Sequence, residues 1–301
     1  MNETARLHEL PLLGLREDNP RDFLAALGLL RLVACQWPKS FPKLSWSEEK
    51  GVPMLSATST LPDDWGKDLW DLLLEWKASE CNPFGHGKIE MILPETFRQL
   101  LLCESQRSPV HARFYAALSA QIPQDKMGRR SEFIIESASR SVLNGINSLL
   151  GLKLAVIDVA GDFAGTGPKY EVSNTSRWNP AEFQSAAYMA SDPENTNLRD
   201  HRSLNIFALL GLTFYPAVDT SRGRRTTGMS REDGDLRFSW PTWTSPLAPD
   251  ELASLLHHPS VHSGMTDVVA LRGMGVFQVW RSRKFKQNGE NLYFSKAQPS
   301  F

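Results

Sequence analysis

The residues best suited to chemistry in this chain are its clustered arginines. Arg222-Gly223-Arg224-Arg225-Thr226-Thr227-Gly228 sets three guanidiniums, two hydroxyls and two glycines in one short stretch. Guanidinium forks match phosphate oxygens, threonines add short donors, and glycine lets a backbone come close to a ligand. A second basic group is Arg281, Arg283 and Lys286, with Arg272 upstream. In a strand, Arg281, Arg283 and Phe285 share one face, and Trp280, Lys284 and Lys286 share the other. Trp280, Phe285, Tyr293 and Phe294 interleave with these charges, a composition suited to stacking and backbone tracking on nucleic acid. Lys126, Arg129 and Arg130 form a third group in a glycine-containing loop. Each group is also compatible with a solvated loop or the basic end of a hairpin. Together, in a chain of net charge −1, they imply segregated positive charge.

Catalytic signatures are absent. The chain has no G-x-S-x-G, no G-x-x-x-x-G-K-[ST] and no H-E-x-x-H. Gly165-Thr166-Gly167 lacks the third glycine of a phosphate cradle. Val156 to Phe163 reads as a short strand, within which Asp158 and Asp162 stand on either side of Val159-Ala160-Gly161. Their even offset would put both carboxylates on one face, as a Mg²⁺-dependent nuclease requires. Asp162 beside a glycine is otherwise an ordinary loop or capping residue. Asp200-His201-Arg202 lacks the partner pattern of a histidine-asparagine nuclease. His257, His258 and His262 gather at a helix end, where imidazoles complement the carbonyl dipole more simply than they hold metal. The residues therefore predict no cofactor, no bound metal and no catalytic residue, with the nuclease kept as an alternative.

The frame for these groups reads as α+β. At 301 residues, 41% hydrophobic and 22% charged, the chain can bury a large core unaided. Cys35, Cys81 and Cys103 form no C-x-x-C pair, which fits a reducing, cytoplasmic setting. The longest apolar run, Phe23 to Val33, is broken by Arg31 and too short to span a bilayer, so no membrane role is expected. Asn19 and Pro20 start a nearly all-apolar helix that ends near Trp37-Pro38. Strands follow at Lys43 to Ser47 and Val52 to Thr58, then a helix at Leu61 to Trp76 whose tryptophans belong to the core. Further helices are expected near Pro94 to Glu104, Pro109 to Gln121, Ser137 to Leu152, Pro180 to Ala190 and Ser203 to Leu212. A short strand is expected at Lys88 to Leu93. Beyond Arg222, alternating segments at Leu236 to Trp240, Val268 to Leu271, Val276 to Phe285 and Asn291 to Ser295 suggest a sheet, with one helix at Pro249 to His257. Gln287-Asn288-Gly289 is a hairpin turn signal. The first two-thirds are thus mostly helical with small sheets, and the last third bears the sheet and hairpin. A division into 1–125 and 126–301 follows the basic loop between them.

Several stretches resemble a known family. They are "LPLLGLREDNPRDFLAALGLLRLVACQWP", "DHRSLNIFALLGLTFYPAVDTSRGRRTTGMS", "LRFSWPTWTSPL" and "RSRKFKQNGENLYFS". They are similar to large-subunit and accessory proteins of type I CRISPR effector complexes (Cascade), nearest the type I-G (formerly I-U) group. The likeness covers about a third of the chain and fades between Ser79 and Asn197. It implies a non-catalytic subunit that contacts guide RNA or target DNA, or bridges other subunits, and leaves cleavage to a separate helicase-nuclease. It places nucleic-acid contact on Arg222, Arg224, Arg225, Arg281 and Arg283.

Overall fold

The computed structural model describes residues 7–79, 94–120, 129–134, 142–151, 157–171, 177–181, 199–220, 223–232, 234–262, 267–287 and 291–301. Over these residues the protein is α+β, with small antiparallel sheets set around a helical centre.

That centre is a crossing of two apolar helices, α1 (Pro20–Gln36) and a helix far along the chain, Arg202–Gly211. Asn19 caps α1 as its spacing predicts, accepting from the amides of Arg21 and Asp22. Nearly every side chain from Pro20 to Val33 is buried, because the helix has neighbours on all sides. The crossing is close because each helix supplies a glycine at the contact. A Cβ on Gly28 would lie 1.9 Å from the Phe207 carbonyl oxygen, and one on Gly211 would lie 2.0 Å from that of Leu24.

Two sheets flank the pair. β1 (His8–Pro11), β2 (Lys43–Trp46) and β3 (Pro53–Ala57) form the first, in the order β1-β3-β2. The second has β10 (Met229–Glu232), β11 (Asp235–Trp243), β12 (Val276–Gln287) and β13 (Asn291–Phe294) in sequence order, and β14 (Gln298–Pro299) also pairs with β12. Phe23 of α1 joins them, with ring centroids 5.9 Å from Trp46, 5.7 Å from Trp240 and 6.5 Å from Trp243. The Trp243 indole donates to the Leu44 carbonyl at 2.8 Å. One continuous apolar core therefore runs from Leu12 to Ala297, across the sequence division at residue 125.

Smaller elements complete the frame. The helices α2 (Trp65–Ala78), α3 (Pro94–Arg107), α4 (Pro109–Leu118) and α5 (Val142–Leu149) precede the crossing partner of α1. Two-stranded pairs are formed by β4 (Ser119–Ala120) with β5 (Arg129–Arg130), β6 (Tyr170–Glu171) with β7 (Arg199–Asp200), and β8 (Ala217–Thr220) with β9 (Gly223–Thr226).

Two expected strands are helices. Val159–Ala164 (α6) is helical because Asp158 caps it, accepting from the Gly161 amide at 2.8 Å, and Gly165 ends it at φ 77°. The crossing partner of α1 is accordingly α7. After α8 (Pro249–Leu256) and α9 (Pro259–His262), Val268–Gly273 forms α10, capped by Asp267 on the Ala270 amide at 3.0 Å. In both places an aspartate immediately before the first helical residue sets the cap, Asp158 within the expected strand and Asp267 just ahead of it. The expected strand at Lys88 to Leu93, most of the helix at Pro180 to Ala190 and the Asn288-Gly289 turn lie outside the described residues. No described helix is long and apolar enough to cross a membrane.

Candidate nucleic-acid interface

Described strands that carry or adjoin the three basic groups, far apart in sequence, meet around one short buried segment. Ser131 to Ile134 follows β5 and is held in the core by Phe133, whose ring lies 4.7 Å from Phe238 and 5.4 Å from Tyr215. Trp178 donates its indole N–H to the Phe133 carbonyl at 2.9 Å. Beside it, β4 of the β4–β5 pair packs on β8 of the β8–β9 hairpin. The Glu132 carboxylate accepts from the Thr226 amide at 3.0 Å, and the Glu132 amide donates to the Thr226 hydroxyl at 2.9 Å. The same carboxylate pairs with Arg231 of β10 at 3.2 Å. Lys284 of β12 donates to the Glu132 carbonyl at 2.5 Å. Glu132 is thus the joint between β5, β9, β10 and β12.

Two predicted contacts are corrected here. Thr226 is 2% exposed, and its hydroxyl is spent on Ser131 and Glu132, so it cannot meet a phosphate. Thr227 turns its hydroxyl to the Pro216 carbonyl at 3.0 Å. Gly228 is needed for a turn at φ 84° and for close packing, since a Cβ there would come within 2.7 Å of the Tyr215 ring. These three residues build the hairpin that carries Arg225.

The arginines themselves divide. Arg225 is partly exposed, and strand alternation puts it on the face opposite Thr226. Arg283 is open, with its side chain 53% exposed. It pairs with Asp235 at 3.2 Å and lies 5.8 Å over the Phe285 ring. Arg281 is less available, since it is largely buried and 4.0 Å from Glu232. Lys284 is committed to the backbone. Arg222 and Lys126 lie outside the described residues, as do the side chains of Arg129, Arg130, Arg224 and Lys286.

Carboxylates are interleaved for a local reason. Arg237 of β11 stands directly opposite Arg283 of β12, a like-charge pairing that costs stability on a sheet. Glu232 accepts from Arg237 at 2.6 Å and Asp235 from Arg283, relieving that repulsion. Exposed pairs of this kind contribute only about 0–1 kcal/mol, so a phosphate can compete for Arg283. Arg231 and Arg237 were not singled out from sequence. Each is the single basic residue of its strand, so no local pattern marks it.

Aromatics also collect on this sheet. Phe285 and Tyr293 are cross-strand partners with ring centroids 6.3 Å apart, and Arg177 lies 4.7 Å over Tyr293. Trp240 and Phe238, by contrast, are fully buried and serve the core.

The remaining candidates are engaged elsewhere. Asp158 is the cap described above. Asp162 is 2% exposed and accepts from the Ser203 hydroxyl at 2.6 Å and the Ser203 amide at 3.2 Å, with His201 Nδ1 at 3.0 Å. Asp200 forms a buried ion pair with Arg21. Among the described residues no three His, Cys, Asp or Glu side chains are grouped to hold a metal. His257 and His262 each direct Nε2 at a carbonyl, of Phe214 at 2.8 Å and Leu256 at 2.5 Å, and His258 Nδ1 accepts from the Ser260 amide.

His262 carries a pH prediction. Burial holds its pKa below the ordinary value, helped by His257, Arg281 and His258 nearby and opposed by the bond to Leu256. It is neutral when folded, whereas the unfolded chain takes up a proton below about pH 6.5. Stability is therefore complete above that value and falls as pH drops toward the folded pKa. Thermal unfolding of His262→Gln between pH 8 and pH 5 is expected to show a shallower acid decline than the unsubstituted protein. Superimposable profiles would place the titration elsewhere.

No protein-family model matches the chain, and neither a curated protein nor a solved structure shows significant similarity to it.

Proposed function

We propose that this chain is a non-catalytic, cytoplasmic, nucleic-acid-binding subunit of a CRISPR effector complex. The observation that carries the nucleic-acid part is the gathering of β5, β9, β10 and β12 around Glu132, which brings three distant basic segments to one region. Phosphates would be engaged by Arg225 and Arg283, with Phe285 and Tyr293 nearby to receive bases. The CRISPR assignment rests on the sequence resemblance. In that setting the ligand is guide RNA or target DNA, and the other faces serve neighbouring subunits.

Salt dependence of binding tests the reading. Each phosphate contact lowers log K by about 0.7 per log unit of salt for single strands and about 0.9 for duplex. Arg225→Ala and Arg283→Ala are each expected to flatten the slope by about that amount, and together by about twice it. Fluorescence anisotropy with single-stranded RNA, single-stranded DNA and duplex DNA over a KCl series supplies the measurement. Slopes equal to that of the unsubstituted protein would remove these residues as contacts. No affinity for any of the three at low salt would favour a scaffold binding acidic protein faces.

A further inference from the structure

A cation sits where the helical core should be apolar. Arg31 lies on α1 amid leucines and is 5% exposed, yet its buried Nε has no hydrogen-bond partner among the described residues. Its Cζ rests 4.0 Å from the centroid of the Phe214 ring. A buried N–H donor left unpartnered costs free energy. Burial and the neighbouring Arg113 bring its pKa down to about 10, which keeps it charged at neutral pH. Arg113 reaches over from α4, which packs on the Leu212–Phe214 turn. It is half exposed, and its nearest carboxylate is Asp250 at 3.9 Å, a side chain that is 91% exposed. Cys35 stands one turn beyond Arg31, and partial burial raises its thiol pKa.

The third wall is the start of α8, where Asp250 stands. The Ala248 amide is satisfied by Glu251 at 2.8 Å, and Pro249 has no N–H. The first-turn amides of a helix have no intrahelical acceptor and carry its positive end. Helix α1 also packs against α8, so Arg31 and Arg113 lie near a helix start that carries two carboxylates: Glu251 is engaged with the Ala248 amide, and Asp250 is loosely held and largely exposed.

We propose that Arg31, Arg113 and the N-terminus of α8 form a binding site for one phosphate-type oxyanion. Arg31 is its buried anchor and Arg113 its exposed gate. Asp250 competes with the ligand for Arg113 and is displaced when the ligand enters. The group could be a free phosphate, a terminal phosphate or a phosphodiester of the nucleic acid. The site does not depend on the contacts at Arg225 and Arg283.

Inorganic phosphate is the probe, titrated against thermal stability and by calorimetry at constant ionic strength, with chloride as the control. Phosphate is expected to raise the melting temperature in a saturable way and chloride is not. Arg113→Gln should weaken phosphate about tenfold, the loss of one charge-assisted interaction. Arg31→Met, which keeps the stem and removes the charge, should abolish binding, and Arg31→Lys should restore part of it. Asp250→Asn should tighten binding. A purely structural Arg31 held by Asp250 predicts the reverse, with Asp250→Asn lowering the melting temperature and phosphate having no effect, and that result overturns the proposal. If Arg31→Met does not fold, Arg113→Gln and Asp250→Asn still decide, since opposite changes in phosphate affinity are required of them. Oligonucleotides with and without a 5′-phosphate separate a terminal group from a backbone one. Arg225→Ala should leave phosphate affinity unchanged, so failure of this site and failure of the strand contacts give different results.

Discussion

Placing a single methyl group at the helix crossing, as in Gly28→Ala or Gly211→Ala, is expected to destabilise the protein by about 3 kcal/mol or more. Overpacking a well-filled core costs about 1–3 kcal/mol, occasionally more, where side chains can adjust. Here the obstacle is backbone, since the new Cβ meets the Phe207 carbonyl oxygen at 1.9 Å or that of Leu24 at 2.0 Å. The two helices must separate, and that disturbs Phe23 and Phe207 in the core between the sheets. Alanine's better helix propensity returns only about 1 kcal/mol. Gly273→Ala is the control, because a Cβ there meets nothing within 4 Å, and it should be neutral or slightly stabilising. Urea unfolding of the three variants measures this. If Gly28→Ala and Gly211→Ala unfold at the same midpoint as Gly273→Ala, the crossing is not the tight contact described.

The second large effect is expected at the buried charges that join the N-termini of the same two helices. Arg21 pairs with Asp22 on α1 and with Asp200 before α7, and all three side chains are less than a tenth exposed. Asn179 and the His201 amide also donate to Asp200, and the Arg16 amide donates to Asp22. Two carboxylates share one guanidinium, which is tolerable because both lie at the positive ends of helices. Burial alone would raise the Asp200 pKa, but the Arg21 charge and these hydrogen bonds overcome it and hold the carboxyl below its usual value. Asp200→Ala leaves Arg21 buried with one partner fewer and should cost about 3–5 kcal/mol. Arg21→Met strands two carboxylates and should cost at least as much. Arg21→Met combined with Asp200→Leu should recover part of the loss, because removing both charges ends the desolvation penalty of either. Denaturant unfolding of the singles and the double provides the cycle. A loss below about 1 kcal/mol for Asp200→Ala would show the network to be marginal.

Much of this was legible along the chain, and the reason is locality. The α1 helix follows from Asn19-Pro20 and its apolar run, and the β12–β13 hairpin from alternation on both sides of a turn signal. Caps, periodicity and turns are set by neighbours within a few residues, so the sequence carries them directly. The same locality explains the failures at Val159–Ala164 and Val268–Gly273, where short β-favouring runs outweighed a single capping aspartate.

Function at the site was less legible because identity does not state what a side chain faces. Thr226, Thr227 and Gly228 have the right composition for phosphate, yet tertiary structure turns them toward Glu132, Pro216 and Tyr215. Arg31 was visible only as a break in an apolar run; its unpartnered Nε appears once Phe214 and Arg113 close around it. Glu132, unremarkable in sequence, becomes the joint of four strands because Phe133 beside it fixes the segment in the core. Chain order alone settles the set of charged groups and the local elements that carry them. Which of those charges meet, and which are consumed in holding the fold, was decided by packing between residues from 94 to 179 positions apart, for which no local pattern exists.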